Sequence, residues 1–222
     1  MGPTDEFERE ARRCGYRRIA GLDEAGRGPL AGPVVAAAVV LPARCRLPGI
    51  DDSKQLSALE REALYATISS CAVAIGVGWA SHEEIDRLNI LEATRLAMQR
   101  AIASLIPLPD CLLIDALTLP ACALPARSII KGDALSVSIA AASVIAKVTR
   151  DRMMDDYHGR FPEYNFQSHK GYSTEEHMQR LSVHGPCAIH RRTFAPVAQL
   201  LGQASTSPPL WTQEGEWLDE NA

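Results

Sequence analysis

Two strand-like segments follow one another near the start of the chain, and beyond them predicted strands and helices alternate. The first, 17–23, ends at the glycine-rich turn 25–28, and the second, 34–41, is rich in valine and alanine between two prolines. Three more strands are predicted, at 72–80, 110–115 and 127–131. Because strands come first and then alternate with helices, the sequence predicts a mixed α/β sheet.

Capping residues mark where the helices begin. Ser57 and Ser81 each precede a glutamate by three residues, the spacing of a capping box, in which the two residues satisfy free main-chain amides of the first helical turn. The first of these helices is predicted to reach residue 70, and the second to continue, with a break near Asn89, up to Pro107. Later helices are predicted at 137–156, 174–184 and 194–201.

Composition excludes several classes of protein. The chain has 222 residues, of which 46% are hydrophobic and 23% charged, as is usual for one globular domain with a small appendage. No apolar segment reaches the roughly 18 residues of a membrane span, and the N-terminal segment lacks the apolar core of a signal peptide. The six cysteines form no C-x-x-C pair, which favours free thiols in a reducing cytoplasm.

Net charge does not identify a partner. The whole chain carries a charge of −4, but four acidic and no basic residues stand in the tail 203–222, and the remainder has 23 basic and 23 acidic side chains. A neutral body of this kind can still place a basic groove beside an acidic metal site. The charge balance therefore leaves nucleic acid open as a partner.

Asp23 and Glu24 are adjacent carboxylates at the end of the first strand. Neighbouring side chains of a strand point to opposite faces, so both can serve one site only if the strand ends there or if one residue offers its main-chain carbonyl. Taken alone, the pair is better explained as an acidic strand end before a solvated loop. The glycine turn that follows, in which Arg27 stands between two glycines whose amides can approach a phosphate, favours a functional site for the whole run 21–28.

Two further carboxylates stand far along the chain. Asp115 ends the apolar run 111–114, and Asp133 follows Lys131 and Gly132. Taken alone, Asp115 is better explained as an ordinary aspartate between a strand and a loop. Taken together with Asp23 and Glu24, these acids form a set of four carboxylates from distant segments. Such a set indicates a site for hard cations, Mg²⁺ or Mn²⁺. Two such ions can activate a water and stabilise the leaving oxygen in phosphodiester cleavage.

The predicted helix 137–156 carries Ser143, Lys147 and Arg150 on one face. A small polar and basic stripe of this kind can meet the phosphates of a nucleic acid. The alternative is a solvated face on which Lys147 pairs with Asp151. By itself the helix does not decide between the two interpretations.

The segment 169–172, with the sequence H-K-G-Y, is a basic and aromatic turn before a predicted helix. Tyr172 on such a loop can stack against a sugar or a base. The alternative is a helix start capped by Ser173 or Thr174, with Tyr172 as its hydrophobic staple.

His184, Cys187 and His190 have a spacing that suits zinc. A structural zinc site usually takes four ligands and includes a C-x-x-C pair, which the sequence lacks. We therefore interpret this segment as not metal-binding, and we expect residues 190–192 to face solvent or phosphate.

Seven blocks of the sequence, in the same order, resemble the ribonuclease HII family (type 2 ribonuclease H). They are 21–34 (GLDEAGRGPLAGPV), 52–54 (DSK), 113–115 (LID), 131–133 (KGD), 141–151 (AASVIAKVTRD), 169–172 (HKGY) and 190–197 (HRRTFAPV). The similarity runs from about residue 17 to residue 200. Two departures from the family pattern are Ala116, where the family commonly has glycine, and Ala140, where it often has serine.

The resemblance implies an α/β, RNase H-like fold, in which helices flank a five-stranded mixed sheet and a C-terminal helical extension follows. It implies hydrolysis of the RNA strand of RNA–DNA hybrids and incision 5′ of ribonucleotides embedded in duplex DNA, by two-metal-ion catalysis that leaves 3′-hydroxyl and 5′-phosphate ends. This activity belongs to ribonucleotide excision repair.

The same resemblance divides the chain into an N-terminal extension 1–16, a catalytic domain 17–202 and an acidic, flexible tail 203–222. The tail contains no recognisable clamp-binding peptide. We expect a cytoplasmic monomer that binds RNA–DNA hybrids and DNA duplexes containing ribonucleotides, and that binds no membrane.

The functional residues of the family fall on matching positions of this sequence. Its four metal-binding and catalytic acids correspond to Asp23, Glu24, Asp115 and Asp133. Its reader of the 2′-hydroxyl corresponds to Gly26, Arg27 and Gly28, and its junction-sensing tyrosine, which stacks on the following deoxyribose, corresponds to Tyr172. Lys54, Ser143, Lys147 and Arg150 match positions that we expect near the nucleic-acid backbone.

Two other functions fit part of this pattern. A catalytically silent nucleic-acid-binding module would keep the groove without the chemistry, but the presence of all four acids argues against it. A strand-transfer enzyme of the same fold is disfavoured because a chain of 222 residues leaves no room for an added DNA-recognition domain.

Overall fold

The protein is described by a computed structural model for residues 2–43, 45–50 and 56–202. The predicted tail 203–222 and the position of Lys54 lie outside these described residues.

A five-stranded mixed sheet forms the centre of the fold, which confirms the predicted fold class. Its strands are β1 (Ile19–Ala25), β2 (Val34–Val40), β3 (Ala74–Ala80), β4 (Cys111–Asp115) and β5 (Ala126–Ile129). The order across the sheet is β3-β2-β1-β4-β5. The pairs β1–β2 and β2–β3 are antiparallel, and β4 is parallel to both β1 and β5. The carboxyl ends of β1 and β4 therefore meet at one edge of the sheet.

Helices cover both faces of this sheet. They are α1 (Glu6–Arg13), α2 (Ala58–Cys71), α3 (His82–Leu88), α4 (Ile90–Ala103), α5 (Gly132–Leu135), α6 (Val137–Arg160), α7 (Phe166–His169), α8 (Glu175–His184) and α9 (Ala195–Leu200). Helix α6 packs on β1 and β2, and α4 packs on β2 and β3. Ala36 and Ala38 pack into one hydrophobic cluster and Ala37 and Val39 into another, so β2 is buried on both sides. This burial explains its unbroken run of valine and alanine.

Both predicted capping boxes are present. The hydroxyl of Ser57 accepts from the amide of Glu60 at 3.3 Å, and that of Ser81 accepts from the amide of Glu84 at 3.2 Å. The break predicted near Asn89 is also confirmed, because Asn89 has a φ of 71° and its side chain caps α4.

The short helices α1, α5 and α7 are absent from the sequence predictions, because one or two turns hold too few residues to show helical periodicity. Helix α1 lies in the predicted extension 1–16, and the carboxylate of Glu8 ties it to the start of α6. That carboxylate accepts from the hydroxyl of Ser136 at 2.6 Å and from the amide of Ser138 at 3.0 Å. The division of the chain at residues 17 and 202 stays a prediction.

Among the described residues, no helix combines the length and the apolar character that a membrane span requires. All six cysteines are free thiols.

The close approach of α6 to β1 depends on a glycine. A β-carbon added at Gly21 would lie 2.1 Å from the carbonyl carbon of Ser138, which belongs to α6. We expect Gly21→Ala to lower the free energy of unfolding by about 3 kcal/mol, because the helix must move away from the strand. Urea unfolding measures this. The matched control Gly159→Ala, at an open and exposed position of α6, should raise the free energy of unfolding by about 0.5 kcal/mol. Equal effects of the two substitutions would contradict the packing argument.

Candidate metal and nucleic-acid site

Three of the predicted acids converge at the edge where β1 and β4 end. Carboxylate oxygens of Asp23, Asp115 and Asp133 lie within 4.8 Å of one another. The parallel pairing places Leu22 opposite Ile114, so the next residue of each strand is an aspartate. Asp133 joins them from α5, two residues after Lys131, whose left-handed φ of 57° turns the chain.

Main-chain amides orient these carboxylates. The amide of Gly132 donates to Asp115 at 2.6 Å, the amide of Ala134 donates to Asp133 at 2.9 Å, and the amide of Glu24 donates to Asp23 at 2.7 Å. Fixed amide donors of this kind hold carboxylate oxygens in one place without adding negative charge. The three acids are therefore set in position by the backbone.

The site concentrates negative charge in a buried place. Asp23 is 5% exposed, and burial, followed by the negative charges of Glu24 and Asp115, raises its pKa well above the ordinary value. A hydrogen bond from Ser143 opposes this rise. Clustered carboxylate oxygens of this kind fit a divalent cation, which would relieve their mutual repulsion.

Glu24 does not belong to the group of three. Its side chain is largely buried next to Asp23, and its carboxylate lies 3.4 Å from the Arg27 guanidinium. The structure therefore brings three of the four predicted acids within 4.8 Å of one another, with Glu24 near enough that its charge raises the pKa of Asp23. A role for Glu24 in binding a cation stays a prediction.

Ala116 occupies the position where the sequence departs from the family's glycine. Its φ is +45°, a left-handed conformation that favours glycine. We expect Ala116→Gly to raise the free energy of unfolding by about 0.5–1 kcal/mol with activity within about twofold, because the strain of the alanine is removed. Urea unfolding measures this. Ala66→Gly, in the middle of α2, is the control and should lower the free energy of unfolding by about 1 kcal/mol. A loss of stability in both variants would contradict the assignment of strain.

A buried arginine determines the orientation of the turn 26–28. The guanidinium of Arg191 donates to the carbonyls of Gly26 at 2.6 Å, Arg27 at 2.7 Å and Gly32 at 3.0 Å. In a trans peptide the N–H points opposite to the carbonyl. The amides of Arg27 and Gly28 therefore point away from Arg191.

A second buried arginine holds the neighbouring segments. The guanidinium of Arg150 donates to the carbonyls of Pro33, Ala31 and Lys170 at 3.0, 3.1 and 3.0 Å. Burial lowers the pKa of Arg150, and burial together with the charge of Arg150 lowers the pKa of Arg191 well below its ordinary value. Arg150 thus joins the segment after the glycine turn to the loop that carries Tyr172.

These contacts correct two predictions. Arg150 does not reach the nucleic-acid backbone, because its side chain is fully buried under the two loops that it joins. His190 and Arg191 do not face solvent or phosphate, because both are buried, and of the predicted segment 190–192 only Arg192 is exposed. Ser143 is also buried, beside Asp23, so its contact is with a carboxylate.

Tyr172 stands next to the glycine turn. A β-carbon added at Gly28 would lie 4.0 Å from a ring carbon of Tyr172, and the residue is 40% exposed. The Lys147 ammonium lies 5.9 Å from the ring centroid and is paired with Asp151 at 2.7 Å. Parts of the alternative interpretations are also present, since this ion pair exists and Thr174 caps α8, but the helix face is not solvated, because Ser143 and Arg150 on it are buried.

Comparisons with known proteins show which family this chain resembles along most of its length. A family model described as Ribonuclease HII matches residues 20–197. The chain is 59% identical over 199 residues to a ribonuclease HII of Geobacillus thermodenitrificans, covering 90% of this chain and 76% of the relative. It is 55% identical over 193 residues to that of Geobacter metallireducens, covering 87% and 91%.

Solved structures show the same fold. The ribonuclease H2 of Pyrococcus horikoshii is 28% identical with a TM-score of 0.71, over 82% of this chain and 96% of the other. The RNase HII of Archaeoglobus fulgidus, solved in complex with PCNA, is 26% identical with a TM-score of 0.66, over 79% and 94%. Bst-RNase HIII in complex with Mn²⁺ is 18% identical with a TM-score of 0.62, over 83% and 69%, a likeness of fold alone.

Proposed function

The chain belongs to the ribonuclease HII family of metal-dependent enzymes that cleave the RNA strand of RNA–DNA hybrids, and we propose that it also incises duplex DNA 5′ of an embedded ribonucleotide. One observation supports this most strongly. Three carboxylates within 4.8 Å of one another lie at the end of the strand that leads into a turn with outward-pointing amides. A cleavage site and a recognition element are thus adjacent.

We propose that Asp23, Asp115 and Asp133, with Glu24, hold divalent cations, Mg²⁺ or Mn²⁺. Two bound ions would supply activation of the attacking water and stabilisation of the departing 3′-oxygen, and the products would carry 3′-hydroxyl and 5′-phosphate ends. The contribution of the chain is to fix the carboxylates. The amides of Glu24, Gly132 and Ala134 hold the carboxylates of Asp23, Asp115 and Asp133.

We propose that substrate recognition is divided between two neighbouring elements. The amides of Arg27 and Gly28, held outward by Arg191, donate to the 2′-hydroxyl of the ribonucleotide. Tyr172 stacks on the next sugar, which must be a deoxyribose because a 2′-hydroxyl would press against the ring. The position of Tyr172 next to Gly28 supports this division, because adjacent readers suit adjacent nucleotides.

The acids and both recognition elements come from one chain, so we propose that a monomer acts on the duplex, in ribonucleotide excision repair. All six cysteines are free thiols, as is usual in the reducing cytoplasm, where we propose that the protein works.

The test uses three end-labelled duplexes: one with a single ribonucleotide, one entirely of DNA, and one long RNA–DNA hybrid. With Mg²⁺ or Mn²⁺ we expect one cut 5′ of the single ribonucleotide, many cuts in the hybrid and none in the DNA. EDTA should abolish all cleavage. Clean, folded protein that leaves the single-ribonucleotide duplex intact with both metals would refute the proposed incision.

A further inference from the structure

Three buried histidines lie in contact behind the loop that carries Tyr172. They are His169, His177 and His190, with ring centroids 4.4 Å apart for the first pair and 5.3 Å apart for the second. The metal site and the recognition turn use none of them.

The hydrogen bonds of His177 fix the position of its proton. Its Nδ1 lies 2.8 Å from the carbonyl of Tyr172, which can only accept, so Nδ1 carries the hydrogen. A neutral imidazole has one N–H, and Nε2 of His177 is therefore an acceptor. It lies 3.1 Å from Nε2 of His190, which must donate to it.

The other end of the arrangement requires the same result independently. The main-chain N–H of Cys187, which can only donate, lies 3.0 Å from Nδ1 of His190, so Nδ1 accepts and the single hydrogen of the neutral ring must be on Nε2. The Cys187 thiol, 3.1 Å from the same nitrogen, can donate there as well. One ordered chain of hydrogen bonds thus runs from Cys187 through both histidines to the carbonyl of Tyr172.

Both imidazoles must be neutral for this series of hydrogen bonds to form, since a second proton on either ring would place two N–H donors opposite each other with no acceptor between them. Burial lowers the pKa of His177 to about 4 and, with the repulsion of His177, that of His190 to about 3. Both rings are therefore neutral at pH 7.

This series of hydrogen bonds ends at the loop that carries Tyr172, the proposed junction sensor. The Tyr172 carbonyl accepts from His177 and from the amide of Thr174 at 2.9 Å. The amide of Gly171 donates to Nδ1 of His169 at 3.2 Å, and the carbonyl of Gly171 accepts from the amide of Leu30 at 2.8 Å. The loop is thus fixed against the segment that continues from the recognition turn.

We propose that His177 and His190 are positioning residues that hold Tyr172 beside Gly28 and thereby set the preference for a ribonucleotide followed by deoxyribose over a continuous RNA strand. The inference rests on the proposed function, in which Tyr172 senses the junction. It assigns to the two histidines an effect on substrate choice and none on the metal site.

Two substitutions of His177, each by a residue with a neutral amide side chain, distinguish a positioning role of the ring from a role in folding alone. In His177→Asn the amide nitrogen stands near the place of Nδ1 and can still donate to Tyr172, whereas in His177→Gln the amide lies near the place of Nε2 and keeps only the link to His190. Both remove the ring. The readout is the kcat/KM for the single-ribonucleotide duplex divided by that for the all-RNA hybrid. We expect the ratio to fall about tenfold for the glutamine variant and to stay within about threefold of wild type for the asparagine variant.

A double-mutant cycle and a spectroscopic measurement complete the test. In a Tyr172→Ala background, His177→Gln should lower the ratio no further, because its effect passes through Tyr172. ¹⁵N NMR of the wild-type histidines should show the hydrogen of His177 on Nδ1 and that of His190 on Nε2.

The inference would be overturned if the two variants lost the same amount of the kcat/KM ratio, or if His177→Gln lowered the ratio as much in the Tyr172→Ala background as in the wild type. It would also be overturned if NMR showed the opposite tautomers. A wild-type enzyme that shows these tautomers but does not incise the single-ribonucleotide duplex would overturn the proposed function, and the role in substrate choice with it. An active enzyme with the opposite tautomers would overturn the inference alone.

Discussion

Asp133→Asn is expected to reduce cleavage of the single-ribonucleotide duplex by about 10³-fold or more while leaving binding of the duplex within about threefold of wild type. The substitution keeps the size of the side chain and the oxygen that accepts from the amide of Ala134, but it removes one negative charge from the group of three carboxylates. Bound cations contribute several kcal/mol to phosphodiester cleavage, and each 1.4 kcal/mol is about tenfold in rate.

Single-turnover cleavage and fluorescence anisotropy measure the two quantities separately. Mg²⁺ or Mn²⁺ should also raise the melting temperature of the wild type by more than that of the variant, since a cation that binds only the folded state stabilises it. Asp156→Asn, on the exposed side of α6, is the control and should match the wild type in all three measurements. Loss of binding together with cleavage would favour a general role of Asp133 in the fold, and unchanged cleavage would remove it from the metal site.

Arg191→Lys is expected to lower kcat/KM for the single-ribonucleotide duplex by about 10²-fold. The lysine keeps the positive charge, but one ammonium cannot replace a planar guanidinium that donates to three carbonyls. The two peptide groups of the turn, which join Gly26 to Arg27 and Arg27 to Gly28, then lose their fixed orientation. Each buried carbonyl left without a donor also costs about 1–3 kcal/mol, so the free energy of unfolding falls.

Steady-state kinetics with urea unfolding in parallel test this. Arg192→Lys is the matched control, because Arg192 is the exposed neighbour, and it should leave both quantities near the wild-type values. A variant at position 191 that keeps the wild-type kcat/KM would show that the turn holds its orientation without the buried guanidinium.

Some features of the fold and the site depend only on residues close together in the chain, and these could be predicted from the sequence. Asp23 and Asp115 each stand at the end of an apolar run, which the sequence shows, whereas their approach depends on the parallel pairing of β1 with β4. The capping boxes at Ser57 and Ser81 are equally local, since each depends on two residues three positions apart. The resemblance in seven blocks then assigned the reaction.

The same sequence placed Arg150 and Arg191 wrongly. A helical wheel shows that Arg150 shares a face with Lys147, but it carries no information about which distant segment covers that face. The carbonyls that bind Arg150 and Arg191 come from residues more than 115 positions earlier in the chain, apart from that of Lys170. For the same reason the sequence could not show that His177 and His190 share a hydrogen bond.

By itself the sequence determined the strands, the starts of α2 and α3, and the places of Asp23 and Asp115 at the ends of apolar runs, because these depend on neighbours in the chain. Only the tertiary structure decided that Asp23, Asp115 and Asp133 come within 4.8 Å of one another, and that two arginines and two histidines are buried and hydrogen-bonded to the loops around the site. Burial and hydrogen bonding of those side chains depend on loops that meet only once the whole chain has packed.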